Sequence, residues 1–164
     1  MASGSRQQLP LWRSMLFVPV NVEKFVESAP TRGADAYILD LEDSIPAAEK
    51  ANARTLVREA AAKVGRTGAD VVVRINRPWR LSVRDIEASV DANVRALMVP
   101  KVADAGHVQA IAEILDEVEA ERGLEIGHTR LFPMIETTAA YFHATEIAEA
   151  HDLLGPRPTP HSAG

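Results

Sequence analysis

Short apolar runs alternate with longer amphipathic stretches along this chain. The runs are rich in β-branched or aromatic residues and are apolar at successive positions, which is typical of strands covered on both faces. They span residues 15–20, 36–41, 70–76, 96–102 and 130–136. The pattern therefore predicts five buried strands.

The segments between these runs have the periodicity of helices. An apolar stripe at helical spacing runs through residues 53–64, and Gly65 follows it as a stop signal. Asn21, the capping-box pattern at 82–85 and Asp104 are candidate helix starts. The chain thus predicts a strand followed by a helix, repeated five times.

Repeated strand–helix units indicate parallel strands joined by crossover helices. Two architectures fit: an open doubly wound sheet and part of a (β/α)8 barrel. A barrel sector requires the sequential strand order 1-2-3-4-5, because its units neighbour one another in turn. An open sheet would reverse its strand order at a switch point. Strand order is therefore the feature that separates the two.

Composition narrows the class of protein. The 18 Lys and Arg residues against 23 Asp and Glu residues leave a net charge of −5, which argues against a nucleic-acid partner. The chain has no cysteine, which excludes disulfides and thiol catalysis. No apolar run approaches the ~20 residues of a membrane span, so we expect a cytoplasmic protein without membrane contact. We predict a mobile leader at 1–12, a partial barrel at 13–150 and a disordered, Pro/Gly-rich tail at 151–164.

Polar residues collect where the predicted strands end, at the rim where both architectures bind ligands. They are Asp40, Glu42, Asp43, Ser44, Arg74, Asn76, Lys101 and Glu136. Asp43 or Ser44 has a simpler alternative role as a helix cap. Arg74 and Glu136 close apolar runs, where an unpaired charge costs about 3–5 kcal/mol. A bound anion for Arg74 and a cation for Glu136 would meet that need, and a salt bridge from Arg74 to a carboxylate is the alternative.

Several common motifs are absent. The chain has no G-x-G-x-x-G or P-loop pattern for nucleotides and no G-x-S-x-G nucleophile elbow. Its five histidines show no metal-ligand spacing, and we predict that they lie on the surface. The sequence therefore does not indicate a phosphate-binding loop for nucleotides or the chemistry of a serine hydrolase.

Five short motifs, each at a predicted strand end, resemble the HpcH/HpaI aldolase/citrate lyase family, in its citrate lyase β-subunit-like branch. They are Arg-Ser-Met-Leu-Phe-Val-Pro at 13–19, Leu-Asp-Leu-Glu-Asp-Ser-Ile-Pro at 39–46 with Lys50 and Arg54 following, Val-Arg-Ile-Asn at 73–76, Met-Val-Pro-Lys-Val at 98–102 and Ile-Glu-Thr at 135–137. Their number and order are far more specific than any single motif. The resemblance covers about residues 13–150.

The resemblance implies a (β/α)8 barrel of the phosphoenolpyruvate/pyruvate type. It also implies Mg²⁺-dependent cleavage or formation of a carbon–carbon bond in a small keto or hydroxy acid or its CoA thioester. Glu136 matches the family's first metal ligand and Arg74 its substrate-carboxylate clamp. Glu42 and Asp43 match the acidic pair that reaches the metal through water. We expect Asn76 and Lys101 to contact substrate beside Arg74.

The chain departs from the family pattern in two ways. Val20 stands where the family usually has glycine, so its Cβ could crowd a close backbone approach. The second departure is larger, because only five of eight units are present and the second Mg²⁺-binding Asp, expected after a sixth strand, has no match. We therefore expect a truncated barrel with little activity by itself, or one completed by another copy or chain, and so a homo-oligomer.

Two other functions fit part of this pattern. A non-catalytic module that binds carboxylates would keep Arg74 and lack the second metal ligand. A receiver-like signalling domain would explain the clustered carboxylates and Lys101. It requires a phospho-acceptor Asp at the end of the third strand, where residues 74–76 are Arg-Ile-Asn.

Overall fold

The structure, a computed structural model, describes residues 10–150. The predicted tail at 151–164 and residues 1–9 of the predicted leader lie outside the described residues. The described part contains five strands, namely β1 (Met15–Pro19), β2 (Ala36–Asp40), β3 (Asp70–Arg74), β4 (Ala96–Val99) and β5 (Arg130–Pro133). Each matches the first part of a predicted run.

Helices follow every strand, as predicted. They are α1 (Glu23–Ser28), α2 (Lys50–Val64), α3 (Trp79–Ser89), α4 (Ala105–Glu121), α5 (Thr138–Phe142) and α6 (Ala144–Glu149). Short 3₁₀ turns at Ala29–Arg32, Ala47–Glu49 and Gly65–Thr67 flank α1 and α2. Across residues 10–150 no helix has both the length and the apolar character needed to cross a bilayer.

The strands form one sheet in the order β1-β2-β3-β4-β5, and every neighbouring pair is parallel. This order confirms the barrel-sector prediction and excludes the open doubly wound sheet, including the receiver-like alternative. The register pairs Asp40 of β2 with Arg74 of β3. The two charged strand ends are therefore direct neighbours.

Side chains alternate between the two faces of the sheet and build two cores. The larger core lies between the sheet and the helices, and includes Leu39, Val73, Leu97, Ile111 and Leu115. The smaller core lines the opposite, concave face, and is formed by Ala36, Ile38, Val72, Ala96 and Met98, with Trp12, Met15, Phe132 and Met134 packed against it. Asp40 and Arg74 follow Ile38 and Val72 by two positions, so the alternation places both on the concave face.

Trp12 closes the amino-terminal end of the concave face. Its indole N–H donates to Asp70 Oδ2 at 2.7 Å, and its ring packs edge-to-face on Phe132 with centroids 6.3 Å apart. Trp12 belongs to the segment predicted as a mobile leader, yet it bridges β3 and β5. A partly buried tryptophan whose N–H is hydrogen-bonded is a structural anchor.

The edge of the sheet departs from the prediction of strands covered on both faces. Leu16 and Phe17 of β1 are 38% and 44% exposed. In the described residues β1 pairs only with β2, so its other side has no covering neighbour. Val20, by contrast, is buried in the larger core and has no positive φ, so its Cβ is accommodated without a changed turn.

Two of the predicted helix caps are wrong, and one is confirmed. The helix α3 begins at Trp79, directly after Pro78, so the pattern at 82–85 lies inside the helix and does not cap it. Val22 and not Asn21 is the N-cap of α1, and Asn21 donates its side-chain amide to Glu49. Asp104 caps α4 as predicted, because its Oδ1 accepts from the backbone N–H of His107 at 2.8 Å.

His107 corrects the prediction that the histidines lie on the surface. It is buried in the first turn of α4, where its ring packs edge-to-face on Trp79. Burial, assisted by the nearby charge of Arg77, lowers the pKa of this imidazole. We therefore assign His107 a packing role.

The packing of the larger core yields a stability prediction. Leu97 lies in β4, which is paired with β3 on one side and β5 on the other, and its side chain is fully buried. Leu11, by contrast, is 86% exposed. Leu97→Ala is expected to lower the free energy of unfolding by about 2–5 kcal/mol, through lost burial and a residual cavity. Leu11→Ala is the matched control and should change it by less than about 0.5 kcal/mol. Urea denaturation measures both, and equal effects would contradict this packing.

Candidate functional site

Six charged side chains meet at the carboxyl ends of the strands, on the concave face. We call them the mouth cluster, formed by Asp40, Glu42, Asp43, Arg74, Lys101 and Glu136. Asp40 and Arg74 end β2 and β3, and the other four lie in the loops that follow β2, β4 and β5. The structure thus brings together five of the six predicted site residues and adds Asp40.

The centre of the mouth cluster is a bidentate ion pair. Arg74 Nε donates to Asp40 Oδ1 at 2.8 Å, and Arg74 Nη2 donates to Asp40 Oδ2 at 2.7 Å. The side chains are 11% and 2% exposed. The Phe17 ring lies 4.6 Å from the guanidinium carbon and covers one face of it. The salt bridge that the sequence left as an alternative for Arg74 is therefore present, in the geometry that a guanidinium favours.

Hydrogen bonds keep Asp40 ionised. Burial alone would raise the pKa of this carboxyl, but the contacts with Arg74, Ser44 and the backbone N–H of Glu42 lower it to about 2. The pairing with Asp40 in turn raises the pKa of Arg74. Asp40 also accepts from the backbone N–H groups of Glu42 at 2.8 Å and Ser44 at 3.1 Å. It thereby shapes the loop that presents Glu42 and Asp43.

Glu42 and Asp43 differ in their surroundings. Glu42 is buried, and its Oε1 accepts from Lys101 Nζ at 2.5 Å. Its Oε2 has no hydrogen bond and lies 3.3 Å from Arg74 Nη1. The Asp43 side chain is 68% exposed, with Oδ2 3.5 Å from Arg74 Nη1. Arg74 Nη1 thus faces two carboxylates, at longer distances than those that separate Nε and Nη2 from Asp40.

Lys101 joins two loops of the mouth. Its backbone N–H donates to Glu136 Oε2 at 2.7 Å, while its ammonium contacts Glu42. The hydrogen bond to Glu42 raises the pKa of Lys101. Glu136 itself is exposed, because it lies in the loop after β5, beyond the strand end where the sequence placed it. The exposed side of the mouth is therefore the side of Glu136.

Asn76 does not line the mouth. It is buried, and its side-chain amide donates to the carbonyl of Leu41 at 2.8 Å and to Asp85 Oδ2 at 2.7 Å. Asp85 is fully buried and also accepts from Arg54 Nε at 2.5 Å. The two residues support the β2 loop from behind, so the geometry does not favour the predicted contact of Asn76 with substrate.

Lys50 supports the same loop from the start of α2. Its ammonium donates to the carbonyls of Leu41 at 2.9 Å and Glu42 at 2.8 Å. Burial lowers the pKa of Lys50, against the attraction of nearby carboxylates. The β2 loop is therefore held by Asp40 on one side and by Lys50 and Asn76 on the other.

Sequence reasoning missed the roles of Asp40 and Asp85. The strand alternation carried a signal for Asp40, which lies two positions after Ile38 and must share the concave face with it. The role of Asp85 was missed because residues 82–85 match a capping box. The feature that could have revealed this role is the position of a carboxylate on the apolar face of a helix, since a buried carboxylate requires a partner.

The charge of the mouth cluster favours a cation. Arg74 and Lys101 contribute two positive charges, and Asp40, Glu42, Asp43 and Glu136 contribute four negative ones. One negative charge remains in excess even when Lys50 is counted. Carboxylate oxygens are the ligands that Mg²⁺ prefers, and this ion is usually held by one or two carboxylates and several waters. Within residues 10–150 no three acidic or histidine side chains are grouped to hold a metal, so the mouth cluster by itself does not offer a complete set of direct ligands.

Comparison with known proteins identifies the family of the chain. A family model described as HpcH/HpaI aldolase/citrate lyase matches residues 13–155. The chain belongs to the HpcH/HpaI aldolase/citrate lyase family. The resemblance inferred from the sequence motifs is thereby confirmed.

The chain matches curated proteins over part of their length. Citrate lyase subunit beta from Leuconostoc mesenteroides subsp. cremoris is 37% identical over 147 residues, which are 88% of this chain and 48% of that protein. A (3S)-malyl-CoA thioesterase from Cereibacter sphaeroides is 31% identical over 147 residues, covering 88% and 47%. The chain thus spans about half the length of the curated relatives that it matches.

A solved structure shares the fold at similar coverage. CitE from Mycobacterium tuberculosis, in complex with magnesium and pyruvate, superposes with a TM-score of 0.62 at 28% identity. The match covers 87% of this chain and 52% of that one. The five units described above therefore match about half of that chain.

The depressed pKa of Asp40 yields a prediction on acid stability. The stabilisation by this carboxylate is complete above its ordinary pKa of 3.8 and is lost as the pH falls through about 2. The difference in unfolding free energy between wild type and Asp40→Asn should therefore be largest above about pH 5 and shrink as the pH approaches 2. Urea denaturation across this pH range measures it. A constant difference would show that Asp40 is not held ionised by Arg74.

Proposed function

We propose that this chain supplies the carboxylate-binding side of an active site for Mg²⁺-dependent carbon–carbon bond cleavage or formation. The substrate class is a small keto or hydroxy acid or its CoA thioester. The names of the relatives support this class, since one is a citrate lyase subunit and another acts on malyl-CoA. The observation that carries the proposal is the Arg74 guanidinium, fixed by Asp40 at the mouth of the barrel sector.

Arg74 has one nitrogen available for a substrate. Nε and Nη2 are engaged with Asp40, whereas Nη1 has only the longer contacts of 3.3 Å to Glu42 and 3.5 Å to Asp43. Asp43 is largely exposed and can turn away into water at little cost. A substrate carboxylate that replaces it gains a charge-assisted hydrogen bond from a guanidinium already held in place.

The excess of negative charge in the mouth explains why an anionic substrate would need a cation there. Glu136 would hold Mg²⁺ directly, and Glu42 and Asp43 would contact it through water. The ion, when bound, would act as a Lewis acid toward the carbonyl group of the substrate. Lys101 adds a positive charge beside Glu42, and Asn76 acts indirectly by fixing the carbonyl of Leu41.

A second candidate function is a non-catalytic module that binds carboxylates. The observation that favours it is the lack, among residues 10–150, of a group of three carboxylates or histidines able to hold a metal. Arg74 would bind the ligand in either case. The two functions differ in whether a second carboxylate reaches the metal from residues beyond the five described units.

We also propose that another copy or another chain covers the free edges of the sheet. Leu16, Phe17 and Phe25 are exposed beside β1, and Tyr141 and Phe142 are exposed after β5. Exposed apolar side chains beside unpaired strand edges favour association. Contact between copies at these edges would also narrow the mouth of the site.

Arg74→Lys tests the proposed clamp. The lysine keeps the positive charge but loses the planar fork, so we expect about tenfold weaker binding of pyruvate in the presence of Mg²⁺. Isothermal titration calorimetry measures the affinity, and urea denaturation measures the smaller loss of stability. Arg58→Lys, on the exposed side of α2, is the matched control and should bind pyruvate like wild type. Unchanged pyruvate binding by Arg74→Lys would refute the role of Arg74.

The 164-residue chain by itself is expected to show little or no lyase activity. Its described residues offer one direct metal ligand, and its mouth is open to water on the side of Glu136, which screens charges that act on a substrate. Gel filtration followed by Mg²⁺-dependent retro-aldol and acyl-CoA lyase assays of each fraction tests this. Turnover in an oligomer peak would show that association completes the site, whereas strong turnover in a monomer peak would contradict the prediction.

A further inference from the structure

A cleft rich in arginine lies on the outer, helical side of the sheet, away from the mouth cluster. It is an open cavity of about 630 Å³, lined by residues of α2 and α3 and by the residue that follows α4. We call it the arginine cleft, after the four arginines that line it, namely Arg54, Arg58, Arg84 and Arg122. Its volume is within the range of about 300–1,000 Å³ that is usual for small-molecule sites.

The acidic residues at the arginine cleft do not neutralise its arginines. Arg54 forms an ion pair with the buried Asp85, and Glu87 is the one acidic residue among the described residues that line the cleft. The other three arginines form no ion pair within residues 10–150. Counting both acidic residues, two positive charges remain in excess at this place, although the chain as a whole has a net charge of −5. An anion bound in the cleft would balance that excess.

Two of the four guanidinium groups are already held in place. Arg54 Nε donates to Asp85 Oδ1 at 2.5 Å, and Arg54 Nη2 has no hydrogen-bond partner among the described residues. Arg122 Nη2 donates to the backbone carbonyl of Glu87 at 2.9 Å, which joins the end of α4 to α3. A guanidinium has five N–H donors, so both side chains keep donors for a ligand. Because they are already ordered, binding costs less conformational entropy.

The remaining two arginines are able to close on a ligand. Arg58 lies one turn after Arg54 on α2, and Arg84 lies on α3. Both are exposed. Like charges one turn apart on a helix repel each other, which disfavours the pair of Arg54 and Arg58 unless an anion lies between them. The arginine cleft thus combines fixed donors with mobile ones.

We propose that the arginine cleft binds a phosphate dianion, either as free phosphate or as the phosphate group of a small organic monoester. A phosphate monoester carries a charge of about −1.5 to −2 at pH 7, which matches the two excess positive charges, whereas a carboxylate brings only one. The planar guanidinium forms paired hydrogen bonds with phosphate oxygens. Small side chains in the lining, Ala51, Thr55 and Ala88, leave room for an organic group beside the phosphate. No residue of the mouth cluster lines this cavity, so the inference does not depend on the proposed function.

The test is isothermal titration calorimetry of the full 164-residue chain with inorganic phosphate and, separately, with glycerol 3-phosphate, at constant ionic strength and without Mg²⁺ or keto acid. Arg58→Gln and Arg84→Gln are each expected to bind about tenfold more weakly than wild type, because each removes one charged donor. Both arginines are exposed, so circular dichroism should show folded variants. Arg32→Gln is the matched control, since Arg32 is an exposed arginine outside the cleft, and it should bind like wild type.

The two ligands distinguish the sources of the phosphate group. Tighter binding of glycerol 3-phosphate supports an organic monoester, and tighter binding of inorganic phosphate supports the free ion, provided that Arg58→Gln and Arg84→Gln weaken either. No binding of either ligand, wild-type affinity in both cleft variants, or an equal loss in Arg32→Gln would overturn the proposal. Binding of a hexaglutamate peptide but of neither phosphate ligand would overturn it too, and would show that the arginines contact acidic polypeptide instead.

Discussion

The bidentate contact between Arg74 and Asp40 is the interaction on which the rest of the site depends. Two charges are buried at the ends of neighbouring strands, which is tolerable only because each satisfies the other. Asp40 also fixes the backbone of the loop after β2, because its carboxylate accepts from the N–H groups of Glu42 and Ser44. The strand register thereby determines where the carboxylates of Glu42 and Asp43 lie.

The site has a rigid side and an adjustable side. On the rigid side, Asn76 and Lys50 donate to the carbonyls of the β2 loop through hydrogen bonds that are buried or partly buried, and Asp85 accepts from Asn76 behind them. On the adjustable side, Glu136 is exposed and Lys101 is about half exposed. A fixed guanidinium beside movable charges suits a site that orients one end of a ligand and adapts to a cation at the other.

The fold could be predicted from the sequence because its signals are local and repeated. Apolar runs separated by amphipathic stretches indicate parallel strands with crossover helices. They fitted both an open sheet and a barrel sector, and the family resemblance favoured the barrel sector, whose sequential strand order the structure shows. Arg74, Glu42, Asp43, Lys101 and Glu136 were found because strand ends of a parallel sheet meet at one rim. The motifs of the HpcH/HpaI aldolase/citrate lyase family pointed to the same residues.

The remaining features depend on contacts between distant segments, which local patterns do not encode. Asp85 matched a capping box, but Pro78 starts the helix earlier and turns Asp85 inward to Asn76 and Arg54. Trp12 had no periodic neighbours to mark it as packed, yet it bonds to Asp70 across the concave face. In both cases a partner far along the chain decides the role of the residue.

A crystal structure of the chain soaked with Mn²⁺ and pyruvate would test the central claim most directly. The account predicts an anomalous peak beside Glu136 and a pyruvate carboxylate within hydrogen-bond distance of Arg74 Nη1, with the contact between Arg74 and Asp40 unchanged. Pyruvate bound away from the mouth cluster, or bound there only after Arg74 had left Asp40, would contradict it.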